Sequence, residues 1–229
     1  TPDEGDLDHS GIKADFEDGL GDWGIRFSES GSIELTTADN HTEDGKNSVA
    51  ASVYSEYNGP MLDVMGKMHK GHKYSLSAWV KMAPGQTPTV LRLSVQSGSS
   101  TFANVSPNVN VTDGDWVELS GDFTVAVTPS ILNAYVETAA TPAETVTFYM
   151  DDFEISYIGP VITKPVQTDL TPIKDAYKDY FLIGSAITSN ELEGSRLELL
   201  THHHNVVTAE NAMKPDYAYD EDRNFDFEE

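Results

Sequence analysis

The chain has 229 residues, with 38 Asp or Glu against 14 Lys or Arg, so its formal net charge is −24 at neutral pH. A charge of this size and sign repels phosphate backbones and anionic bilayer surfaces, so we expect neither nucleic acid nor membrane as a partner. The absence of cysteine excludes disulfide bridges, thiolate metal sites and a cysteine nucleophile.

Residues 1–10 are acidic and poor in large apolar side chains, and we expect them to form a disordered acidic tail. Residues 11–158 show short alternating runs of apolar and polar residues between turn clusters, with no helical stretch among them. These runs are 32–36, 48–54, 73–81, 89–96, 116–120, 133–138 and 146–155. The period of two predicts an all-β antiparallel sandwich, most simply a jelly roll.

Two prolines among extended residues predict a semi-rigid linker at 159–168. The pattern then changes, with helical spacing at 170–180 and 191–202 and apolar runs at 181–187 and 205–208. The run at 205–208 is β-branched and predicts a buried strand. Strand, helix and strand form the unit of a (β/α)8 barrel, which needs roughly 250 residues. Residues 169–229 are therefore predicted to be the truncated start of an incomplete barrel.

Four motifs stand out in the first domain: Phe-Glu-Asp-Gly at 16–19, Asp-Trp-Gly-Ile-Arg at 22–26, Tyr-Val-Glu-Thr at 135–138 and Phe-Tyr-Met-Asp-Asp-Phe-Glu at 148–154. Through these motifs the domain resembles a carbohydrate-binding module of family 22, within the broader group shared with families 4 and 9. The resemblance covers nearly all of residues 12–158. It implies a jelly roll that binds xylan, xylo-oligosaccharides or mixed-linkage β-glucan in a groove.

A neutral polysaccharide is recognised by aromatic faces laid against its sugar rings and by a few orienting hydrogen bonds. The resemblance implies that the substrate-binding residues of the groove are Arg26, Tyr57, Phe102, Tyr135 and Glu137. Because Tyr135 and Glu137 are two residues apart on one strand, we expect them to share a face.

Two of these residues have a structural alternative. Arg26 could form a surface ion pair, and Phe102 could plug a loop, whereas Tyr57 lies at a turn with little core to fill. The family often carries an aromatic residue where this sequence has Asn133, which leaves the preference between xylan and mixed-linkage glucan open. The three tryptophans, Trp23, Trp79 and Trp116, are instead predicted to pack in the core or at its rim.

The resemblance also implies one structural calcium ion away from the groove. Its ligands would be the carboxylates of Glu17 and Asp152, together with backbone carbonyls of the loop at 42–47. Ligation by oxygen alone is what calcium requires. The alternative is that these acids are merely solvated in an acidic protein. The histidine run at 202–204 is a weaker metal candidate, because adjacent side chains point in different directions.

The stretch Thr-His-His-His-Asn-Val-Val-Thr-Ala-Glu-Asn-Ala-Met-Lys-Pro-Asp at 201–216, together with residues 173–177 and 181–187, strongly resembles the start of a family 10 glycoside hydrolase, an endo-1,4-β-xylanase. In that family the residues matching Glu210, Asn211 and Lys214 hydrogen-bond xylose hydroxyls. Functional groups of parallel-strand folds collect beyond the carboxyl ends of strands, where these residues are expected. Alternatively, the Glu-Asn pair could cap the next element.

Family 10 enzymes hydrolyse with retention, using two carboxyl groups about 5 Å apart as acid/base and nucleophile. In the family these groups lie on the fourth and seventh strands, which this sequence does not reach. No catalytic residue is therefore predicted, and we expect the chain alone to be inactive.

Three functional hypotheses remain. The first is that the chain is the N-terminal portion of a secreted or extracellular retaining endo-1,4-β-xylanase, whose sandwich targets hydrolysis to xylan β-1,4 bonds. The second is a stand-alone xylan or mixed-linkage β-glucan binding module with no catalysis in this chain. The third, a calcium-stabilised sandwich with an adhesive or structural role, would not explain the motif at 208–215.

Overall fold

The computed structural model describes residues 7–161, 165–211, 213–214 and 225. The chain divides into two compact units, Thr1–Val161 and Ile162–Glu229. Among the described residues, no helix is both long enough and apolar enough to cross a bilayer.

The first unit is a sandwich of two antiparallel sheets. Its strands are β1 (Ile12–Ala14), β2 (Gly24–Ile25), β3 (Gly31–Thr36), β4 (Ser48–Val53), β5 (Pro60–Asp63), β6 (His72–Met82), β7 (Thr89–Gln96), β8 (Phe102–Asn104), β9 (Val109–Val111), β10 (Val117–Thr124), β11 (Asn133–Thr138) and β12 (Val146–Pro160). The first sheet has the order β10-β6-β12-β4-β3, with β1 also paired to β12. The second has the order β2-β5-β11-β7-β8, with β9 also paired to β7. The predicted all-β sandwich is confirmed.

The core forms because apolar residues alternate along the strands. In β6 every second residue from His72 to Met82 is buried, and the residues between them are only partly covered. Tyr74, Leu76 and Val80 on this strand belong to one apolar cluster together with Phe148 from β12. Since successive side chains of a strand point to opposite faces, one face of each sheet supplies the core.

The strand β12 is longer than the sequence pattern predicts. It extends to Pro160, two residues into the segment assigned to the linker, and the Val161 amide then donates to the Gly71 carbonyl at 2.7 Å. A register shift between Asp151 and Glu154 marks a bulge in its pairing with β6. Such a bulge changes the direction of the side chains next to it.

Part of the predicted acidic tail is attached to the sandwich. The Asp8 carboxylate accepts from the Lys67 ammonium at 2.7 Å, and the His9 ring stacks on Tyr157 with 3.9 Å between centroids. The expectation of disorder therefore does not hold at these two residues, because an ion pair and a ring contact compensate for the lack of apolar bulk.

The second unit contains a parallel strand–helix–strand arrangement. Its elements are α1 (Ile173–Ala176), β13 (Gly184–Ile187), a 3₁₀ turn (Ser189–Leu192), α2 (Gly194–His203) and β14 (Val206–Ala209). The strands β13 and β14 pair in parallel, as expected for a barrel start. The helix α1 is much shorter than the predicted 170–180.

The strand predicted at 205–208 is confirmed as β14, but the prediction that it is buried is wrong. Three of the four residues of β14 are exposed, including Val206 and Val207. In the described part of this unit, Ile187 and Leu200 are the buried apolar residues. A two-stranded sheet has too few neighbours to cover both of its faces.

The burial of Phe148 leads to a stability prediction. Phe148→Ala removes a fully buried ring from the centre of the apolar cluster and should lower the free energy of unfolding by about 3–5 kcal/mol. Phe102→Ala makes the same chemical change at a ring that is 53% exposed and should cost less than about 1 kcal/mol. Urea unfolding followed by tryptophan fluorescence compares the two variants, and equal losses would contradict the assigned core.

Candidate sugar-binding groove

The second sheet carries a groove of about 410 Å³ on the face that points away from the core. On β11, Tyr135 and Glu137 alternate with Ala134 and Val136, which belong to the apolar core. The groove is lined by Arg26, Phe27, Tyr57, Arg92, Phe102, Asn104, Tyr135 and Glu137. The structure therefore brings together all five residues that the resemblance assigns to a sugar groove.

A buried ion-pair network forms around Glu137, whose exposed fraction is 2%. One carboxylate oxygen, Oε2, accepts from Arg26 Nη1 at 3.0 Å. The other, Oε1, accepts from Arg92 Nε at 2.8 Å and from the Ser94 hydroxyl at 2.8 Å. Charge-assisted hydrogen bonds to both oxygens compensate for the desolvation of the carboxylate. They also fix the positions of the two guanidinium groups.

The Arg26 guanidinium is packed among aromatic rings. Its central carbon lies 4.2 Å from the Tyr135 ring centroid, 4.7 Å from that of Phe27 and 5.4 Å from that of Phe102. These distances are within the range of cation–π attraction. Arg26 is thus not the surface ion pair of the alternative hypothesis, because its side chain is 10% exposed and its partner Glu137 is buried.

Tyr135 lies in the floor of the groove and is 1% exposed. Burial and the nearby Glu137 carboxylate raise the pKa of its phenol to about 12, so the ring stays neutral. The Arg26 guanidinium packs on the Tyr135 ring. In this structure the exposed aromatic faces of the groove are instead those of Tyr57 and Phe102, at 42% and 53%.

The turn that presents Tyr57 is held by its backbone. Tyr57 has a positive φ of 58°, its amide donates to the Thr138 carbonyl at 2.8 Å, and its carbonyl accepts from Arg26 Nη1 at 2.7 Å. A left-handed backbone at a bulky residue is costly and persists only where surrounding contacts fix it. Here those contacts tie the turn to β11 and to the Glu137 network.

The next two residues fix the turn further. The buried Asn58 side chain accepts from the Phe27 amide at 3.0 Å and donates to the Phe27 carbonyl at 3.0 Å and to the Ser30 hydroxyl at 3.1 Å. A Cβ at Gly59 would come within 2.1 Å of the Val136 carbonyl oxygen, so only glycine allows this close approach.

Sequence reasoning missed Arg92, Ser94, Phe27 and Asn104. A signal for Arg92 was present in β7, where it stands between the buried Leu91 and Leu93 and therefore points away from the core. It lies directly opposite Glu137 in the pairing of β7 with β11. Recognising this pair required the register of two strands that are distant in sequence.

The two acids assigned to a calcium site both contact the loop at 41–47. Glu17 Oε1 accepts the amides of Lys46 and Asn47 at 2.8 and 2.7 Å, and these backbone bonds hold the pKa of Glu17 below its usual range. Asp152 Oδ2 lies 2.6 Å from His41 Nδ1.

The donor chemistry around this loop is suitable for calcium only if backbone oxygens take part. Among the residues that the structure describes, no group of three or more His, Cys, Asp or Glu side chains is arranged to hold a metal. Two carboxylates with loop carbonyls form an all-oxygen donor set of the type that calcium prefers. Neighbouring Asp151 is fully buried, and burial raises the pKa of its carboxyl despite hydrogen bonds from the His41 and Thr42 amides.

In the second unit, the predicted residues follow the carboxyl end of β14. The Glu210 amide donates to the Ile187 carbonyl at 2.9 Å, and its side chain is exposed. The Lys214 ammonium donates to the Asn211 side-chain oxygen at 2.8 Å. Asn211 and Lys214 are thus brought together, with Glu210 adjacent in sequence.

Comparison with known proteins gives two family matches. Residues 8–145 match the family described as Carbohydrate binding domain, and residues 172–229 match Glycosyl hydrolase family 10. Only a short segment of the family 10 domain is therefore present.

Among sequences, the chain is 33% identical over 181 residues to Endo-1,4-beta-xylanase A of Thermoanaerobacterium saccharolyticum, covering 76% of this chain and 15% of that protein. The chain also matches Endo-1,4-beta-xylanase A of Thermotoga maritima and of Thermotoga neapolitana, and it covers 19% of each. The chain therefore spans less than a fifth of the length of these curated relatives.

Among solved structures, the CBM22-1 xylan-binding domain of Paenibacillus barcinonensis Xyn10C superposes with a TM-score of 0.57 at 25% identity, covering 64% of this chain and 93% of that one. The CBM22-2 xylan-binding domain of the same protein gives 0.54 at 27% identity, covering 64% and 99%. The family 22 and family 10 resemblances are thereby confirmed. The chain belongs to the carbohydrate-binding domain family, as a module like those of family 22, and continues into a fragment of a family 10 xylanase domain.

Proposed function

We propose that the first unit binds xylan and xylo-oligosaccharides in the groove on its second sheet. The observation that carries this proposal is the pairing of two exposed aromatic rings, Tyr57 and Phe102, with a buried and rigid polar network around Glu137. The rings offer flat apolar surface to the faces of xylose residues, and the fixed guanidinium groups offer donors to their hydroxyl oxygens. The solved xylan-binding domains that resemble this unit support the choice of ligand.

We further propose that the protein to which this chain belongs is a retaining endo-1,4-β-xylanase. The relatives named as endo-1,4-β-xylanases and the family 10 match at 172–229 support this proposal. In that enzyme the sandwich would hold the catalytic domain on its polymeric substrate, and Glu210, Asn211 and Lys214 would bind xylose hydroxyls. We propose a secreted or extracellular location, since polymeric xylan lies outside the cell. The segment at 172–229 is too short to form a barrel, so hydrolysis is not expected from this chain alone.

The alternative function is that of a binding module that acts without a catalytic domain. In that case the same groove would take xylan or mixed-linkage β-glucan. Titration with both polysaccharides separates the two ligands, because mixed-linkage glucan carries a hydroxymethyl group on each ring that xylan lacks.

We also propose that Glu17 and Asp152 hold a structural calcium ion with carbonyls of the loop at 42–47. The support is that both carboxylates contact this one loop, at a position outside the groove lining. A bound calcium would join the loop to β12 and contribute to stability, without taking part in sugar recognition.

The groove assignment predicts the effect of Tyr57→Ala. A stacked sugar ring covers about 50–80 Å² of the tyrosine, worth roughly 1–2 kcal/mol, so affinity for xylohexaose should fall about tenfold. Tyr54→Ala provides a matched control, because Tyr54 is a comparably exposed tyrosine that does not line the groove. Isothermal titration decides the matter: an unchanged affinity for Tyr57→Ala, or an equal loss for Tyr54→Ala, would exclude this groove.

The calcium assignment predicts that a chelator lowers the melting temperature of the sandwich, because an ion bound only by the folded state stabilises it by mass action. Asp152→Asn should melt at the lower temperature with or without chelator. Affinity for xylohexaose measured well below the melting temperature should stay the same. A melting curve that chelator leaves unaltered in the parent protein would reject the site.

A further inference from the structure

The groove carries a positive charge in a strongly acidic protein. Of its lining residues, Arg26 and Arg92 contribute two positive charges and Glu137 contributes one negative charge, which leaves a net charge of one positive unit. The whole chain has a formal net charge of −24. A neutral polysaccharide needs no such excess, whereas an anionic ligand does.

The guanidinium groups keep hydrogen-bond donors for a ligand. Glu137 accepts from only one nitrogen of each arginine, Nη1 of Arg26 and Nε of Arg92. Within the described parts of the chain, the two terminal nitrogens of Arg92 make no hydrogen bond to the protein, although the side chain is only 14% exposed. Donors in so enclosed a position can be satisfied by an acceptor that enters the groove.

The position of Arg92 matches a side group on a stacked sugar chain. Its guanidinium carbon lies 5.5 Å from the centroid of the Tyr57 ring, the platform of the proposed function. Because the guanidinium lies over this ring, a sugar that stacks beside it on the exposed part of Tyr57 would bring its substituents next to the free nitrogens. Two parallel N–H donors of one guanidinium suit a carboxylate, which accepts both at once.

We propose that the groove selects xylan chains that carry uronic acid side groups, with the terminal nitrogens of Arg92 pairing with the uronate carboxylate. This proposal rests on the proposed function, because it requires the xylan backbone to lie on Tyr57. Xylose hydroxyls accept hydrogen bonds from the same nitrogens, but they cannot neutralise the excess charge. The preference is electrostatic and should therefore weaken with added salt.

The test uses isothermal titration of the whole chain with three oligosaccharides of one backbone length. The first carries a single glucuronic acid, the second is its carboxyl-reduced form, and the third is undecorated. At low ionic strength the acidic oligosaccharide should bind about fivefold more tightly than the other two, the effect of an ion pair of about 1 kcal/mol. At high salt the three affinities should converge.

Two variants test whether Arg92 is the residue that causes the preference for the acidic oligosaccharide. Arg92→Gln should remove the preference for the acidic oligosaccharide. Lys13→Gln makes the same change in net charge on β1, in the other sheet, at an exposed side chain, and should keep the preference. Equal loss in both variants would show a nonspecific charge effect and would overturn the proposal.

The remaining outcomes are distinct. If the parent binds all three oligosaccharides equally, or prefers a neutral one, the uronate proposal fails while xylan binding in the groove stands. If none of the three binds, the proposed function itself fails. Should Arg92→Gln not fold, the comparison of the acidic and carboxyl-reduced forms on the parent chain still decides, because it changes only the ligand.

Discussion

The buried carboxylate of Glu137 is the interaction on which the groove depends. It joins β11, which carries it, to Arg92 on β7 and to Arg26 beside β2. Through Arg26 Nη1 the same network reaches the carbonyl of Tyr57 and so fixes the turn that presents the exposed ring. Removing one member of a buried ion pair leaves an uncompensated charge and typically costs 3–5 kcal/mol. Binding geometry and local stability are therefore determined by one set of contacts.

The sandwich makes this arrangement possible because β11 is an interior strand. Its apolar residues Ala134 and Val136 anchor it in the core, while Tyr135 and Glu137 alternate with them on the groove side. The two neighbours β5 and β7 hold β11 through backbone pairing. A polar network built on such a rigid support is preorganised, so little ordering is required when a ligand binds.

Much of this structure could be predicted from the sequence. Alternation of apolar residues, as in β6, identified the sandwich, and strand–helix–strand spacing identified the start of a barrel. The five groove residues came from motif resemblance, and the structure gathers them in one place. The individual roles of these five residues could not be predicted from the sequence, because the burial of each side chain depends on neighbours that are remote in sequence. Tyr135 was expected to bind substrate in the groove, yet its ring is buried and Arg26 packs over it.

Other features could not be deduced from local patterns. Arg92 gains its role only through the cross-strand register that places it opposite Glu137. The exposure of Val206 and Val207 arises for the opposite reason, since a β-branched run indicates burial only where other elements exist to cover it. Pairing between distant strands gives Arg92 its contact with Glu137. Val206 and Val207 stay exposed because the described part of the second unit has too few elements to cover them.

The central claim is that Glu137 and Arg26 act as one unit that organises the groove. A double-mutant cycle with Glu137→Gln, Arg26→Gln and the double variant, measured as free energies of unfolding in urea, tests it most directly. We predict that the two effects are non-additive, with a coupling energy of about 1–3 kcal/mol, because either single variant leaves a partner of the pair without its counter-charge. Additivity within about 0.5 kcal/mol would show that the two side chains are energetically independent and would contradict the account.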